Sequence, residues 1–160
     1  MQNLPPNQEI IEAFQFFDNW EDRYRYLIEL GEKLPPLAPE QQNEQNRVTG
    51  CVSRAWIVAR PGTDPGSLIF SGDSDAATVK GLIAVLISLY SGKNSTGIAS
   101  LDADHIFEQL RLYEHLSPTR HVGVYAMVEK IKSLANSYAI DCAEETNTNR
   151  HPREHILPTY

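Results

Sequence analysis

Cysteine is scarce in this sequence. Its 160 residues include only two, Cys51 and Cys142. Two thiols are too few for a framework of disulfide bonds, which excludes the class of small disulfide-stapled secreted domains. Reduced thiols are the usual state in the cytoplasm, so the composition predicts a cytoplasmic protein.

Positive charge and long apolar segments are scarce as well. Lys and Arg number 14 against 21 Asp and Glu, which gives a net charge of −7. No nucleic-acid partner is expected, because phosphate contacts need clustered basic residues. The longest apolar run, residues 82–90, is too short to cross a bilayer, and residues 1–12 lack the pattern of a secretory signal. The sequence therefore predicts no membrane association.

The remaining composition is that of one ordinary globular domain. Hydrophobic residues make up 41% and charged residues 22%, which favours a packed core over disorder. Strand character begins near Val52 and recurs at 68–70, on either side of a Pro/Gly turn. Apolar residues recur at helical spacing in residues 8–17, 20–30, 76–90, 102–110 and 118–138. This order predicts an α+β domain in which helices pack on a small antiparallel sheet.

Helix ends and loops follow from the cap and turn residues. Gly31 is expected to follow the second helix as its C′ residue, and residues 91–97 are expected to form a loop. Asp18 or Asn19 is expected to cap the second helix at its start. Residues 141–160 are polar and aperiodic, so a folded domain of residues 1–140 and a flexible tail of residues 141–160 are expected.

The stretch of residues 46–56 is organised around Cys51, the single cysteine of that domain. A thiol attacks as its thiolate, and an ordinary cysteine with a pKa of about 8.5 is mostly protonated at neutral pH. Nucleophilic chemistry at Cys51 therefore needs positive charge nearby. Arg47 and Arg54 flank the cysteine, and the fold could bring Arg120 over it from the start of the last helix. The alternative is a small buried cysteine that begins a strand.

Other residues carry less specific patterns. Asp73, Ser74 and Asp75 are expected to cap the following helix, and the alternative is that they shape a cleft beside the Cys51 loop. Trp56 is expected in the core rather than on a contact surface. No cofactor site is expected, because Lys80 has no phosphate-binding glycine loop beside it.

The five histidines do not form a recognisable site. His105, His115 and His121 lack Cys or carboxylate neighbours at metal-ligand spacing, so no metal site is expected. His121 acting as a base for Cys51 would make a Cys–His hydrolase, but no third member or oxyanion motif accompanies the pair. His151 and His155 lie in the polar tail and are interpreted as solvated, and Cys142 as an exposed spare thiol.

Several stretches, taken together and in order over residues 10–140, resemble the SufE family of sulfur acceptors. They are Trp20-Glu21-Asp22-Arg23-Tyr24, Leu27-Ile28-Glu29-Leu30-Gly31, Leu34-Pro35, Asn46-Arg47-Val48-Thr49-Gly50-Cys51-Val52-Ser53, Trp56, Phe70-Ser71-Gly72-Asp73-Ser74-Asp75, Val79-Lys80-Gly81-Leu82 and Leu116-Ser117-Pro118-Thr119-Arg120. Thr119 stands where the family commonly has Ser, and His121 and Val122 replace small or polar residues.

The resemblance implies a fold shared with IscU-type scaffolds and a role for Cys51 as the acceptor of persulfide sulfur from a cysteine desulfurase. Arg120 would support that cysteine. Pyridoxal phosphate would belong to the desulfurase, which this protein would stimulate, and the sulfur would pass to a scaffold such as SufBCD in iron–sulfur cluster assembly. Such a protein is a persulfide carrier rather than a stand-alone enzyme. Cys51 is expected to lie against apolar residues at rest and to swing out when the partner docks.

Three alternative functions stay open beside the carrier. A relative of the same family could feed another acceptor, such as a tRNA-modifying enzyme. A regulator could bind the desulfurase without taking sulfur. A cluster scaffold would normally need several thiolates, and the predicted domain has one. The sequence also leaves open whether the chain forms a homodimer.

Overall fold

The computed structural model describes the backbone of residues 4–150 and the side chains of residues 4–139. Within this range the chain forms six α-helices and three β-strands. In chain order they are α1 (Asn7–Phe16), α2 (Trp20–Glu32), β1 (Ala55–Pro61), β2 (Ser67–Ser74), α3 (Ala77–Tyr90), β3 (Lys93–Asn94), α4 (Ser95–Ser100), α5 (Ala103–Gln109) and α6 (Pro118–Arg150). Two single 3₁₀ turns lie at Pro39–Gln41 and Tyr113–His115. The predicted α+β class is confirmed.

The sheet is a hairpin with a short third strand. β1 and β2 pair antiparallel from Ala55 opposite Ser74 to Pro61 opposite Leu68, and β3 joins the far end of β2. The predicted hairpin is confirmed, but its first strand begins at Ala55 and not near Val52. Val52 has strand propensity, yet its side chain is 79% exposed because it lies in a turn before the strand.

Helix α3 lies at the centre of the core, packed between α2 and the sheet. Its side chains are buried on nearly every side, which explains why its sequence is apolar over a wide stripe. Helix α2 approaches α3 closely at two glycines, since a Cβ on Gly31 would lie 2.8 Å from the Gly81 nitrogen. Gly31 is therefore a packing residue inside α2, and its predicted role as the C′ residue is wrong. Asn19 is the α2 cap, with its side chain accepting a hydrogen bond from Asp22 N at 2.9 Å.

The segment predicted as a loop at residues 91–97 contains β3 and the start of α4 instead. The Asn94 side chain caps α4 by accepting a hydrogen bond from Gly97 N at 2.8 Å. Helix α4 shows no apolar periodicity in the sequence, because it has six residues and Ile98 is its one buried residue. Tertiary packing, not local propensity, holds it in place.

Helix α6 extends to Arg150, so its predicted end near Tyr138 is wrong. The buried stripe on this helix runs from Val124 to Ala135, and a pattern argument sees only the packed part. Beyond it, alanine and glutamate are strong helix formers that favour continuation of the helix. The proposed boundary between domain and tail stays a prediction. The side chain of Cys142, as well as His151 and His155, lies outside the described part of the structure.

Candidate functional site

Cys51 lies at the tip of a tight reversal between residues 46–48 and β1. Val48 N donates to the Ala55 carbonyl at 2.9 Å, and Ile57 N donates to the Asn46 carbonyl at 3.0 Å. These bonds close a loop of residues 49–54. Gly50 has φ +92°, a left-handed backbone conformation that residues other than glycine adopt only at a cost in free energy. The loop therefore has fixed ends and presents the cysteine at its tip.

The second end of the loop is fastened by Ser74 and Asp75. The Asp75 carboxylate accepts a hydrogen bond from Arg54 N at 3.2 Å, and Asp75 N donates to the Arg54 carbonyl at the same distance. The Ser74 hydroxyl donates to that carbonyl at 2.6 Å. The cap position of α3 is Ala76, which has no side-chain cap. The expected capping role of these residues is therefore wrong, and they fasten the base of the Cys51 loop instead.

Trp56 and Asp73 face each other on the outer side of the hairpin. Side chains alternate along β1, so Ala55 and Ile57 enter the core while Trp56 points away and stays half-buried. The expectation that Trp56 is a core residue is wrong. Asp73 is buried and lies 3.5 Å from the Lys80 ammonium group, so its charge is balanced locally.

The Cys51 side chain is half-buried and packs against the core. It borders a cleft of about 170 Å³, whose inner wall is formed by three apolar side chains that are 1–3% exposed: Val79, Leu82 and Met127. On α6, a Cβ at Gly123 would lie 3.5 Å from the sulfur, so the thiol rests almost on the helix backbone. This position agrees with the expectation of a thiol held against apolar residues, and the outward swing stays a prediction.

The rim of the cleft is polar and comes mostly from the start of α6. Ser117 precedes the helix, and its hydroxyl accepts a hydrogen bond from Arg120 N at 3.3 Å. Thr119 and Arg120 complete this side of the cleft. Arg120 is thus brought to Cys51. Arg47 forms an ion pair with Glu44 at 3.4 Å, and Arg54 contributes its backbone to the loop anchor rather than a side chain to the cleft.

Burial raises the pKa of the Cys51 thiol above its ordinary value. The Asp75 carboxylate adds to this effect. A hydrogen bond from the Ser53 backbone and the charges of Arg120 and Arg47 oppose it without reversing it. A raised pKa disfavours the thiolate, so the resting thiol is a weaker nucleophile than an ordinary exposed cysteine.

His105, His115 and His121, the histidines of the described range, do not line the cleft at Cys51. His121 Nε2 donates to the Tyr113 carbonyl at 2.7 Å, which commits the nitrogen to another partner, and His121 does not line the cleft. His115 stacks on Trp20 with ring centroids 4.3 Å apart. His105 is exposed on α5. Among the described residues no histidine is placed as a base for Cys51, so the hydrolase alternative built on His121 has no geometric support. Over the described residues, no cluster of three His, Cys, Asp or Glu side chains forms a candidate metal site.

Sequence reasoning missed the cleft itself. Arg120, Gly123 and Met127 all line it, and their spacing on one face of a helix is the pattern that could have identified it. The exposure of Val52 was missed as well, because a valine near a strand is ordinarily assigned to the sheet.

Comparison with known proteins identifies the family. The model of the SufE family, described as an Fe–S metabolism associated domain, matches residues 8–135. This chain belongs to the SufE family. An uncharacterised SufE-like protein of Rhizobium etli is 48% identical over 129 residues, which cover 79% of this chain and 87% of that relative. A SufE-like protein of Rhizobium meliloti, also uncharacterised, is 43% identical over 129 residues, covering 79% and 92%.

The fold of the SufE-family chain is also found in a solved structure. The solution structure of a hypothetical protein from Thermus thermophilus matches with a TM-score of 0.68 and 21% identity, covering 86% of this chain and 98% of the other. At this identity the likeness supports the fold alone. Family membership gives the protein a sulfur-related role in iron–sulfur metabolism. No helix in the described range is both long and apolar enough to span a membrane.

Proposed function

We propose that this protein accepts persulfide sulfur from a cysteine desulfurase on Cys51 and carries it to an iron–sulfur cluster assembly scaffold of the SufBCD type. The observation that supports this most is the placement of Cys51, on an anchored loop beside a small cleft whose rim carries Arg120. The proposal includes stimulation of the desulfurase, because a carrier that removes its persulfide frees the donor cysteine for another cycle.

The transfer step is a thiol exchange on sulfur. The Cys51 thiolate attacks the terminal sulfur of the donor persulfide, forming a new S–S bond at Cys51. The S–S bond in the desulfurase breaks, and its cysteine leaves as a thiolate that takes up the proton lost by Cys51. The transferred sulfur keeps its oxidation state, so the step needs no oxidant or reductant. Pyridoxal phosphate acts earlier, on the partner, and has no role in this step.

The size of the cleft supports sulfur rather than a larger substrate. Pockets for small organic ligands usually have volumes of about 300–1,000 Å³, well above the volume beside Cys51. A cleft of about 170 Å³ lined by Val79, Leu82 and Met127 has room for one additional sulfur atom on Cys51. Exposed persulfides and thiolates are easily oxidised or exchanged, so an apolar wall at this point protects the cargo.

The burial of Cys51 and the raised pKa of its thiol both favour a transfer step in which the loop moves. Docking of the partner would lift Cys51 out of the cleft and end the desolvation that keeps the thiol protonated. Val52, next in sequence and 79% exposed, offers an apolar contact on the outer side of the loop. The charge of Arg120 then favours the thiolate as it forms. A cytoplasmic location belongs to the proposal, because the chemistry requires reduced thiols.

The test is intact-mass measurement after the protein is mixed with a cognate cysteine desulfurase and free cysteine. We expect a gain of one sulfur atom that reductant removes and that maps to Cys51. Cys51→Ser should abolish the gain, while the matched variant Cys142→Ser should retain it. Stimulation of the desulfurase by Cys51→Ser, together with no sulfur on the wild-type protein, would instead identify a regulator.

The final acceptor needs a separate arm of the experiment. The loaded protein is offered to a SufBCD-type scaffold and, in parallel, to a sulfur-using tRNA-modifying enzyme, and the loss of sulfur from Cys51 is followed by mass. Loss to the scaffold supports the proposed delivery. Loss only to the tRNA-modifying enzyme would leave the carrier role intact and overturn the acceptor.

A further inference from the structure

A second cleft lies away from Cys51, between the end of α1, the start of α2 and the end of α5. Its volume is about 340 Å³, within the range of small-ligand pockets. Its polar lining consists of Gln15, Asp18, Arg23, Gln109 and Arg111, and it shares no residue with the cleft at Cys51. Nothing in the proposed sulfur transfer uses it.

Arg23 is the unusual residue of this cleft. Its side chain belongs to the buried set, at 6% exposed, although a guanidinium always carries its charge in proteins. Its Nε donates to the Phe14 carbonyl at 3.3 Å, near the end of α1. Within residues 4–139 the guanidinium makes no other hydrogen bond, and no carboxylate lies within 4.0 Å of it.

A buried charge without an anion is costly, so such residues normally have a partner. One carbonyl uses one of the five N–H groups of the guanidinium. Arg23 lines this cleft, where a ligand can reach its remaining donors. The missing partner is therefore expected there.

Arg111 adds a second positive charge to the same cleft, and no ion pair of its side chain is found in the described range. Asp18 contributes the opposing charge, which leaves an excess of one positive charge among the lining side chains. The ends of α1 and α5 also direct partial negative charge toward this region. This balance suits a monoanion better than a doubly charged phosphate.

We propose that this cleft binds a small carboxylate ligand. A planar carboxylate matches the paired N–H groups of arginine, which bind it through two parallel hydrogen bonds. Arg23 provides this fork from inside the cleft, Arg111 adds attraction from the rim, and the amides of Gln15 and Gln109 offer further donors. Asp18 would repel a simple acid slightly but would accept the ammonium group of an amino acid. Simple acids and amino acids would thus bind the arginines through the same carboxylate and differ in their interaction with Asp18.

The test is a titration of the full chain with acetate, glycine and inorganic phosphate, in buffer free of other anions of these classes, followed by amide chemical shifts. We expect saturable shifts around residues 14–23 and 109–111. Arg111→Asn removes the charge and suits the left-handed backbone at this position, φ 57°. It should weaken acetate binding about tenfold. Asp18→Asn should tighten it by about threefold.

The control is Arg60→Gln, an exposed arginine on β1 outside the cleft, which should leave binding unchanged. Glycine binding more tightly than acetate, with the difference lost in Asp18→Asn, would identify an amino acid as the source of the carboxylate. Equal or weaker glycine binding would identify a simple acid. An absence of saturable shifts, insensitivity to Arg111→Asn, or tighter binding of phosphate than of acetate would overturn the proposal.

Discussion

The two ends of β1 both adjoin a loop that turns at a glycine with positive φ, but a side chain at the two glycines would meet different surroundings. At residues 62–66, Gly66 has φ +79°, and a Cβ there would meet no atom within 4 Å. At residues 49–54, Gly50 has φ +92°, and a Cβ there would lie 3.4 Å from Ala126 on α6. The same turn chemistry therefore makes a simple connection at one end and a positioned thiol at the other. Contact with α6, rather than the turn itself, distinguishes the site.

The largest effect is expected from a substitution that disrupts the contact between the Cys51 loop and α6. Gly123→Leu places a side chain where the sulfur now rests, 3.5 Å from the Cβ position. We expect the free energy of unfolding to fall by about 1–3 kcal/mol through overpacking. Alkylation of Cys51 by iodoacetamide should accelerate by about tenfold or more, because the loop opens more often. Val122→Leu, at an exposed neighbour on α6, should change neither quantity.

The two glycines can be compared directly through alanine variants. Gly50→Ala and Gly66→Ala should each lower the free energy of unfolding by about 1–2 kcal/mol, because both place a Cβ in a left-handed conformation. Only Gly50→Ala should also change the alkylation rate of Cys51. Denaturant titration and thiol kinetics check the two halves of this prediction. Equal effects on the thiol would show that packing on α6 is not what separates the loops.

The anchor at Asp75 gives a smaller effect with a defined sign. Asp75→Asn removes a negative charge that raises the pKa of Cys51 and weakens the hold on Arg54. The pKa of the thiol should fall, so more thiolate forms at a given pH and alkylation should accelerate by about threefold. Asp64→Asn in the other loop is the matched control. Slower alkylation in Asp75→Asn would contradict this role.

Arg120 should produce the smallest change, in the opposite direction. Its charge lowers the pKa of a thiol that burial has raised, so Arg120→Gln should move the pH profile of Cys51 alkylation to higher pH. The rate below the midpoint should drop by about twofold, since the rim is partly exposed to solvent. Arg60→Gln should leave the profile in place. A midpoint that does not move would mean that Arg120 serves partner contact alone.

The main elements could be predicted because their sequence patterns are local. The stripes of α1, α2 and α3 and the Pro/Gly turn between β1 and β2 are each recognisable within a few residues. The end of α6 and the position of α4 could not be predicted in this way. Helix α6 continues past its buried stripe because its residues there have high helix propensity. Helix α4 is too short to show an apolar stripe.

The sequence predicted the reactive cysteine and its arginine, but not the residues that hold the loop and surround it. Cys51 and Arg120 stand out by residue type and by resemblance to the SufE family. Asp75 looks like a helix cap in sequence, and its bond to Arg54 spans 21 residues, so only the folded hairpin shows that it fastens the loop. Trp56 was misplaced because a large aromatic residue in a strand is usually buried, and the alternation along β1 directs it outward.

The most direct measurement of the central claim is a single transfer without turnover. A cysteine desulfurase is loaded with its persulfide, freed of cysteine and mixed anaerobically with this protein without reductant, and both intact masses are followed. We expect the desulfurase to lose one sulfur atom as this chain gains it at Cys51. A desulfurase that retains its persulfide while the Cys51 thiol stays unmodified would contradict it.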